Sequence, residues 1–461
     1  MRLNKLSLLF DFNLFRQWIS GMNINFLLSK IINFCSPIFN RIKQIYILGI
    51  ILVFCLISLW SCQQIAPKDN GVIHLTLWQS INPPENRDLF QTLVKKFNQT
   101  HQDIQVEAIF EPEPQLPKIL TAFVGNALPD MLLFYPEYTG QFVDLGAIRP
   151  LDDWLEKLKI KSDIRPNLLK GMEINGHIWS VPMHTSNIGI FYRPKLFQAA
   201  GITEIPKTWD ELRAVAKKLT IDKNGDNRPE QYGILLPLGK GGWTVFSWLP
   251  FLFGAKGEII TNNYPNLTHP GAIAALQFWQ DLIKDGSVML SAPERGYEED
   301  AFLDGRVAMQ ITGPWTLIMK SEVDHQIFPV PAGVIPATVT GTASLFAMKS
   351  SPAKEKATLK FLEYVLSEEF QTEWTIKTGF LPVTFSAARS KTYQQFINNK
   401  PLLKVFFDQL PVAQSLPSMA GYSRIADSLG RAIEATLLGK SSGKTALQEA
   451  QKRLEVIWAE K

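Results

Sequence analysis

Ten of the twelve tryptophans fall after residue 62, and three of those ten stand where a ring can face a cleft. Trp78 closes a short apolar segment, Val72–Trp78. Trp243 follows Gly241-Gly242, and Trp315 follows Gly313-Pro314. Strand ends and Gly-rich loops present side chains to ligands, and an aromatic ring there can cover a flat apolar face. Trp154, Trp209, Trp279, Trp374 and Trp458 lie on helical stripes or at helix starts and read as packing. Trp248 is weighed beside its neighbour Trp243 as a weaker candidate. Asp130 reads as pinning its loop, with ligand contact as the alternative. Asn82 and Glu85 could bond hydroxyls, but they stand at a helix start, where capping is the expected role.

Other chemistries find no residues to carry them. The sequence has no G-x-S-x-G elbow, no phosphate-binding P-loop and no G-x-G-x-x-G fingerprint. The six histidines, at 74, 101, 177, 184, 269 and 325, form no i,i+4 pair, so no zinc site is expected. All three cysteines, Cys35, Cys55 and Cys62, precede residue 63. The rest of the chain therefore has no disulfide, thiol nucleophile or thiolate metal site. Asp222-Lys223-Asn224-Gly225-Asp226-Asn227 places acceptors at alternate positions, as a calcium loop does. The sixth position is Asn227 rather than glycine and the twelfth is Gly233 rather than glutamate, so an Asx-rich turn is expected. No cofactor and no metal are predicted.

Positioning such residues is the task of alternating strands and helices. Val72–Trp78, Ile104–Phe110 and Met131–Phe134 read as strands. Leu89, Leu93 and Phe97 mark a helix between the first two, and Leu116–Val124 marks one before the third. Alternation at this spacing predicts α/β architecture with a largely parallel sheet. Thr208-Trp209-Asp210-Glu211 is a capping box. Helices are predicted over Ala272–Ile283, Ala353–Leu366, Glu368–Thr378, Ile425–Leu438 and Thr445–Trp458, the third of these stopped by Gly379.

The 461 residues carry a formal charge of +4, but the excess is local. Residues 1–61 hold six basic residues against one acid, which leaves 41 basic and 42 acidic residues in the remainder. A near-neutral body excludes general binding of nucleic acid, which needs a basic surface. Arg41 and Lys43 precede an uncharged run, Ile45–Trp60, which is short for a membrane span of roughly 20 residues. That order is the order of an export signal. The run ends Leu59-Trp60-Ser61-Cys62, which resembles the lipobox of bacterial lipoproteins. This implies a leader over 1–61, lipidation at Cys62 and a tether over 62–70, with an uncleaved anchor as the alternative. Either places the body outside the cytoplasm, on the periplasmic side of the membrane.

Several segments, in order, resemble the solute-binding proteins of carbohydrate ABC transporters, the group that contains maltose-binding protein. They are LTLWQSINPPE (75–85), GNALPDMLLFYPEYTGQFVDLGAIRPLDDWL (125–155), IWSVPMHTSNIGIFYRPKLFQAAGI (178–202) and WDELRAVAKKLT (209–220) with DKNGDNRPEQYGI (222–234). AFLDGRVAMQITGPW (301–315), TGFLPV (378–383) and LLGKSSGKTALQEAQKRL (437–454) complete the set. The resemblance spans about 70–461. It implies a two-lobe periplasmic-binding-protein fold of α/β class, with an interlobe cleft and crossing hinge strands. Carried over by position, lobe one is 71–185 plus 309–345 and lobe two is 186–308 plus 346–461.

The same resemblance assigns a binding site. Sugars offer flat C–H faces to aromatic rings and hydroxyl rims to carboxylates, amides and arginine. Trp315 matches the family's Gly-Pro-Trp, whose ring stacks on sugar. Trp243 falls in a loop where relatives offer an aromatic, and Trp78 follows a strand that points at the cleft. Tyr135 and Glu137 stand where relatives place an aromatic and an acid. Tyr422 and Arg424 come where some relatives line the cleft from lobe two, and Asp130 is kept as a further contact. The implied role is non-catalytic: a monomer captures a small carbohydrate or polyol and delivers it to ABC permease subunits. Mono-, di- and oligosaccharides, glucosylated polyols and glycerol-phosphodiesters all remain open as the ligand. The alternative is a secreted carbohydrate-cleaving lipoprotein with paired carboxylates, for instance Glu137 and Asp304.

Overall fold

The computed structural model describes residues 71–112, 116–226, 228–239, 241–262, 264–292, 300–317, 323–419 and 421–459. The leader, Cys62 and the tether lie outside the described residues. Strand β1 (Ile73–Gln79) buries Leu75, Leu77 and Gln79 on one face, as period-2 alternation requires. The helix Pro84–Thr100 follows. Its cap position is Pro83, with no side-chain cap bond, so Asn82 does not cap it. The Asn82 amide donates instead to the carbonyl of Ser80 at 3.2 Å. β2 (Ile104–Phe110), the helix Leu116–Val124 and β3 (Met131–Phe134) stand at the expected positions. A small hairpin of β4 (Glu173–Ile174) and β5 (His177–Ile178) leads to β6 (Val181–Asn187), which is buried along its whole length.

The chain then changes sheet. Asn187 pairs in one sheet and Gly189 in the other, with Ile188 between them. The Thr338 hydroxyl donates to the Ile188 carbonyl at 2.9 Å, which holds this crossing to the returning one. After β7 (Gly189–Tyr192) come the helix Trp209–Leu219, β8 (Tyr232–Leu236) and the helix Gly242–Gly254. The capping box of Trp209–Leu219 is formed. Glu211 N–H donates to Thr208 Oγ1 at 3.3 Å, and Thr208 N–H donates to Glu211 Oε2 at 3.2 Å. A hairpin of β9 (Ile260–Thr261) and β10 (Tyr264–Pro265) precedes the helix Pro270–Lys284. β11 (Val288–Leu290), β12 (Val307–Thr312) and β13 (Gln326–Phe328) complete the second sheet, in the order β11-β8-β12-β7-β13.

β14 (Thr338–Ala347) returns to the first sheet, and β15 (Ala413–Gln414) joins it, giving the order β15-β14-β3-β1-β2 with β6 also paired to β14. The expectation of a largely parallel sheet needs correction. β1 pairs in parallel with β2 and β3, and β8 in parallel with β11 and β12. The crossing strands bring in the antiparallel pairs, β14 to β3 and β6 and β7 to β12 and β13, while β14 runs parallel to the short β15. A strand that enters from the other sheet is not preceded by a crossover helix in its own sheet, so nothing imposes the parallel sense.

Each sheet has its own core. Phe90, Leu93 and Phe97 meet Phe361, Phe370 and Trp374 over the first. Trp248, Phe251 and Trp279 pack over the second with Ile425 and Leu447. The expected lobe boundaries shift accordingly. Most of β12 and all of β13 fall within 309–345, yet both pair in the second sheet. The helices Pro352–Val365 and Glu368–Thr378 pack on the first core although they follow residue 345. Gly379 ends the second of these helices with φ of 77°, the left-handed conformation that glycine adopts without a Cβ clash. The last helices, Tyr422–Leu437 and Gly443–Ala459, close over the second core.

Candidate binding cleft

A cleft of about 900 Å³ takes its lining from elements of both sheets. That is toward the upper end of the ~300–1,000 Å³ typical of small-molecule sites. The first sheet contributes Ser80–Asn82 after β1, Leu133–Tyr135 with Glu137 and Tyr138 after β3, His184 and Ser186 of β6, and Gly341–Ala343 of β14. The second core contributes Trp243 and Phe246 from one helix, Trp315 from the turn after β12, and Tyr422, Ser423, Ala426 and Asp427 from another helix.

Two indoles make a corner. The rings of Trp243 and Trp315 lie 5.9 Å apart at 76°, and Phe246 stacks on Trp243 at 5.8 Å. Gly313 shapes this corner, because a Cβ there would come within 2.1 Å of the Trp315 ring. The floor is polar and tightly tied. The Ser186 hydroxyl donates to the Gly341 carbonyl at 3.0 Å, and the Thr185 and Thr342 hydroxyls share a bond of 3.0 Å. His184 is stacked on Phe380 at 3.9 Å and on Trp374 at 5.7 Å. Burial pushes its imidazole down to about 3, so it is neutral across the physiological range.

Glu137 sits in a turn of 3-10 helix, Pro136–Tyr138. Part of it opens to the cleft, yet its surroundings strip away enough water to push the carboxyl up to about 7. Tyr422 faces it from the helix Tyr422–Leu437. Burial pushes the Tyr422 phenol up, and the neighbouring Glu137 and Tyr138 add to the shift. The Ser418 hydroxyl donates to the Pro136 carbonyl at 2.8 Å and also to Gly171, fastening the approach to this helix onto the first sheet's loops. Aromatic plates above a floor of hydroxyls, amide and carboxylate can hold a polyhydroxylated molecule on both its apolar and its polar edges.

The sequence profile of the bacterial extracellular solute-binding proteins matches residues 92–402. The chain belongs to this family. A binding protein of Brucella abortus (strain 2308) is 28% identical over 353 residues, which cover 74% of this chain and 82% of that protein. The sn-glycerol-3-phosphate-binding periplasmic protein of Brucella melitensis is 25% identical over 392 residues, 80% of this chain and 89% of that one. Among solved structures, the cyclic alpha-maltosyl-1,6-maltose binding protein from Arthrobacter globiformis superposes with a TM-score of 0.75 at 26% identity. It covers 84% of this chain and 99% of its own. The two-lobe α/β fold expected from the resemblance is the fold of this solute-binding protein.

Trp315, Trp243, Tyr135, Glu137 and Tyr422 are brought together along the cleft. Trp243 lies not in a loop but in the first turn of a helix that begins at Gly242. Three expected residues lie elsewhere. β1 runs one residue beyond Trp78, and the Trp78 ring turns toward the helix Leu116–Val124 with Lys118 over its face at 4.7 Å. The following residues, Ser80–Asn82, reach the cleft in its place. The Asp130 carboxylate accepts from Thr76 N–H at 2.9 Å and from Lys354 Nζ at 3.0 Å, so it pins its loop. Arg424 is exposed on a helix whose cleft face is Tyr422, Ser423, Ala426 and Asp427. Its position two residues from Tyr422 turns it away. Trp248 is fully buried in the second core, and Glu85 does not line the cleft.

Asp304 is also outside the lining. It is 59% exposed and pairs with Arg306 at 3.2 Å, so it forms no carboxylate pair with Glu137 across the cleft. The Asp222–Asp226 turn is held by its own side chains: Gly225 N–H donates to Asp222 and Asp226 N–H donates to Asn224. No metal-binding group of three or more acidic, histidine or cysteine residues occurs among the described residues. Nor is any helix among them long and apolar enough to cross a membrane. The sequence reading missed His184, Ser186, Thr342 and Phe380. They lie on strands and a loop with no local mark of function; the TGFLPV motif around Phe380 was the nearest signal.

Proposed function

We propose that this is a lipid-anchored, extracytoplasmic substrate-binding protein of an ABC importer. It captures a carbohydrate or related polyol in the cleft as a monomer and hands it to the permease. The observation that supports this best is the cleft lining: Trp243 and Trp315 at a corner above Asn82, Ser186, Thr342 and Glu137. No lysine or arginine occurs among the described lining residues, which favours a polyhydroxylated ligand over a phosphate. Family membership supports binding rather than turnover, and Asp304, the example partner for Glu137 in a glycosidase, lies outside the cleft lining.

Closure would proceed about the crossings at Ile188 and at 329–337, with the ligand bonded from both sides only in the closed state. A panel of mono-, di- and oligosaccharides, polyols and glycerol-3-phosphate is expected to raise the melting temperature only with its saccharide or polyol members. The same saturating ligand should shrink the radius of gyration in small-angle scattering. Stabilisation by glycerol-3-phosphate alone would overturn the carbohydrate reading, and an unchanged radius would overturn closure. Stoichiometric binding without glycan turnover separates this reading from the enzymatic one.

The Leu59-Trp60-Ser61-Cys62 sequence supports anchoring through Cys62. Labelled fatty acid is expected to enter the wild-type chain in bacteria and to be absent from Cys62→Ala. Equal labelling of the two would remove the lipoprotein assignment and leave the uncleaved anchor.

A further inference from the structure

Strand β6 carries an extra residue against its partner. Ala343 of β14 pairs with His184 and Ser344 with Pro182, which leaves Met183 unmatched between them. Such a bulge breaks the alternation of sides and re-aims the side chain beside it. Met183 lies in the first core, and its neighbour His184 turns to the same side, where it stacks on Trp374 of that core. Buried side-chain bonds hold the bulge. The Gln371 amide, fully buried, donates to the Met183 carbonyl at 2.7 Å and accepts from Val383 N–H at 3.1 Å. Just beyond, Thr185 and Leu381 exchange both backbone bonds, at 3.2 and 2.8 Å. That pairing sets Phe380 against the imidazole, with ring centres 3.9 Å apart and planes at 26°.

The two nitrogens of the ring so held differ. Nδ1 is shut off from solvent and has no hydrogen-bond partner, whereas Nε2 is not shut off, and the residue lines the cleft. A neutral imidazole carries one N–H and one bare nitrogen. An N–H sealed away without an acceptor is the rarer and costlier arrangement, so the proton belongs on Nε2, at the cleft. Neighbouring groups of the floor direct their protons elsewhere. The Ser186 hydroxyl donates to Gly341, the Thr185 and Thr342 hydroxyls bond each other, and the Asn82 amide donates to Ser80. We propose that His184 is a ligand-binding residue whose Nε2–H donates to a hydroxyl, ring or glycosidic oxygen of a neutral saccharide. This rests on the carbohydrate reading and deepens it.

Packing alone does not call for an imidazole here. A phenylalanine would stack on Phe380 and Trp374 equally well and would leave no unmet nitrogen in apolar surroundings. What the imidazole adds is a donor at a fixed place. A hydroxyl can turn to donate or accept, but this ring is clamped between two aromatic faces and its second nitrogen is sealed. It therefore meets a ligand oxygen with little further side-chain ordering, which favours binding. Burial holds the ring neutral, so the donor comes without a charge, as suits an uncharged sugar.

Calorimetry on the full chain tests this with glucose, maltose, maltotriose, cellobiose and trehalose, in wild type, His184→Phe and His184→Gln. His184→Phe keeps a stacked ring and removes both nitrogens. It should bind the saccharides that the wild type binds about three- to tenfold more weakly, the contribution of one hydrogen bond. Its ligand-free melting temperature should stay level or rise. His184→Gln restores a side-chain donor and should recover part of the lost affinity. Nitrogen-15 spectra of histidine-labelled wild type decide even where a variant fails to fold. His184 should carry its proton on Nε2, and that N–H should shift and exchange more slowly with a saturating saccharide. Unchanged affinity in His184→Phe, or a proton on Nδ1, would overturn the proposal and leave the carbohydrate reading standing. If none of the saccharides binds, the carbohydrate reading falls first, and this proposal falls with it.

Discussion

Trp315→Ala is expected to weaken saccharide binding roughly 10- to 100-fold, because stacking a sugar face on an indole is worth on the order of 1–3 kcal/mol. The ring is half-buried, forms a corner with Trp243 and packs on the edge of the second core. Its removal should therefore cost much less fold stability than the ~3–5 kcal/mol lost when a fully buried tryptophan is truncated. Titration calorimetry and thermal unfolding of the ligand-free variant separate the two effects. The ligand-induced change in tryptophan fluorescence should shrink with the affinity. Gly313→Ala is a companion variant that keeps the indole but displaces it, since a Cβ would overlap the ring. It should reduce affinity with the circular dichroism spectrum unchanged. A Trp315→Ala protein that melts far lower yet binds normally would show that the ring serves the core.

Trp374→Ala has the largest expected effect on stability. The indole is fully buried in the helix Glu368–Thr378, edge-on to Phe90 at 6.0 Å and stacked on Phe370 at 6.3 Å. Truncation should lower the unfolding free energy by about 3–5 kcal/mol. The effect should also reach the cleft, because His184 and Phe380 stack on one another and on this ring. Ligand affinity of the folded variant should fall as that floor loosens. The indole N–H has no hydrogen-bond partner among the described residues. Trp374→Phe keeps a ring and removes that orphaned donor, so it should be far milder. Denaturant unfolding of both variants checks the prediction. A loss below about 1 kcal/mol in Trp374→Ala would contradict the packing described.

Much of the site was legible because its signals are local. Gly313-Pro314-Trp315 forms a tight turn directly after β12, and a ring on such a turn has few places to go. Pro136-Glu137-Tyr138 is likewise a short turn at the end of a four-residue buried strand. Trp78 misled for a physical reason. Successive side chains on a strand point to opposite faces, so extending β1 by one residue to Gln79 decides which side chains emerge at its end. Arg424 misled in the helical equivalent, where 100° per residue carried it off the face that Tyr422 and Ala426 share.

The elements were within reach of the sequence because caps and periodicity act over a few residues. Thr208 to Glu211 fixes one helix start, and Gly379 fixes one helix end. The near-neutral, cysteine-free body and the lack of nucleophile or phosphate-binding motifs also follow from composition alone. Tertiary structure decided which segments meet. β14 pairs with β3 and β6 across more than 150 residues of chain, and this pairing puts Gly341 and Thr342 beside Ser186 and Thr185. It also decided that β12 and β13 belong to the second sheet while the helices after β14 return to the first core. The cleft floor is built from residues distant in sequence and individually ordinary. Their role arises from strand register and sheet order, which no local pattern of residue types encodes.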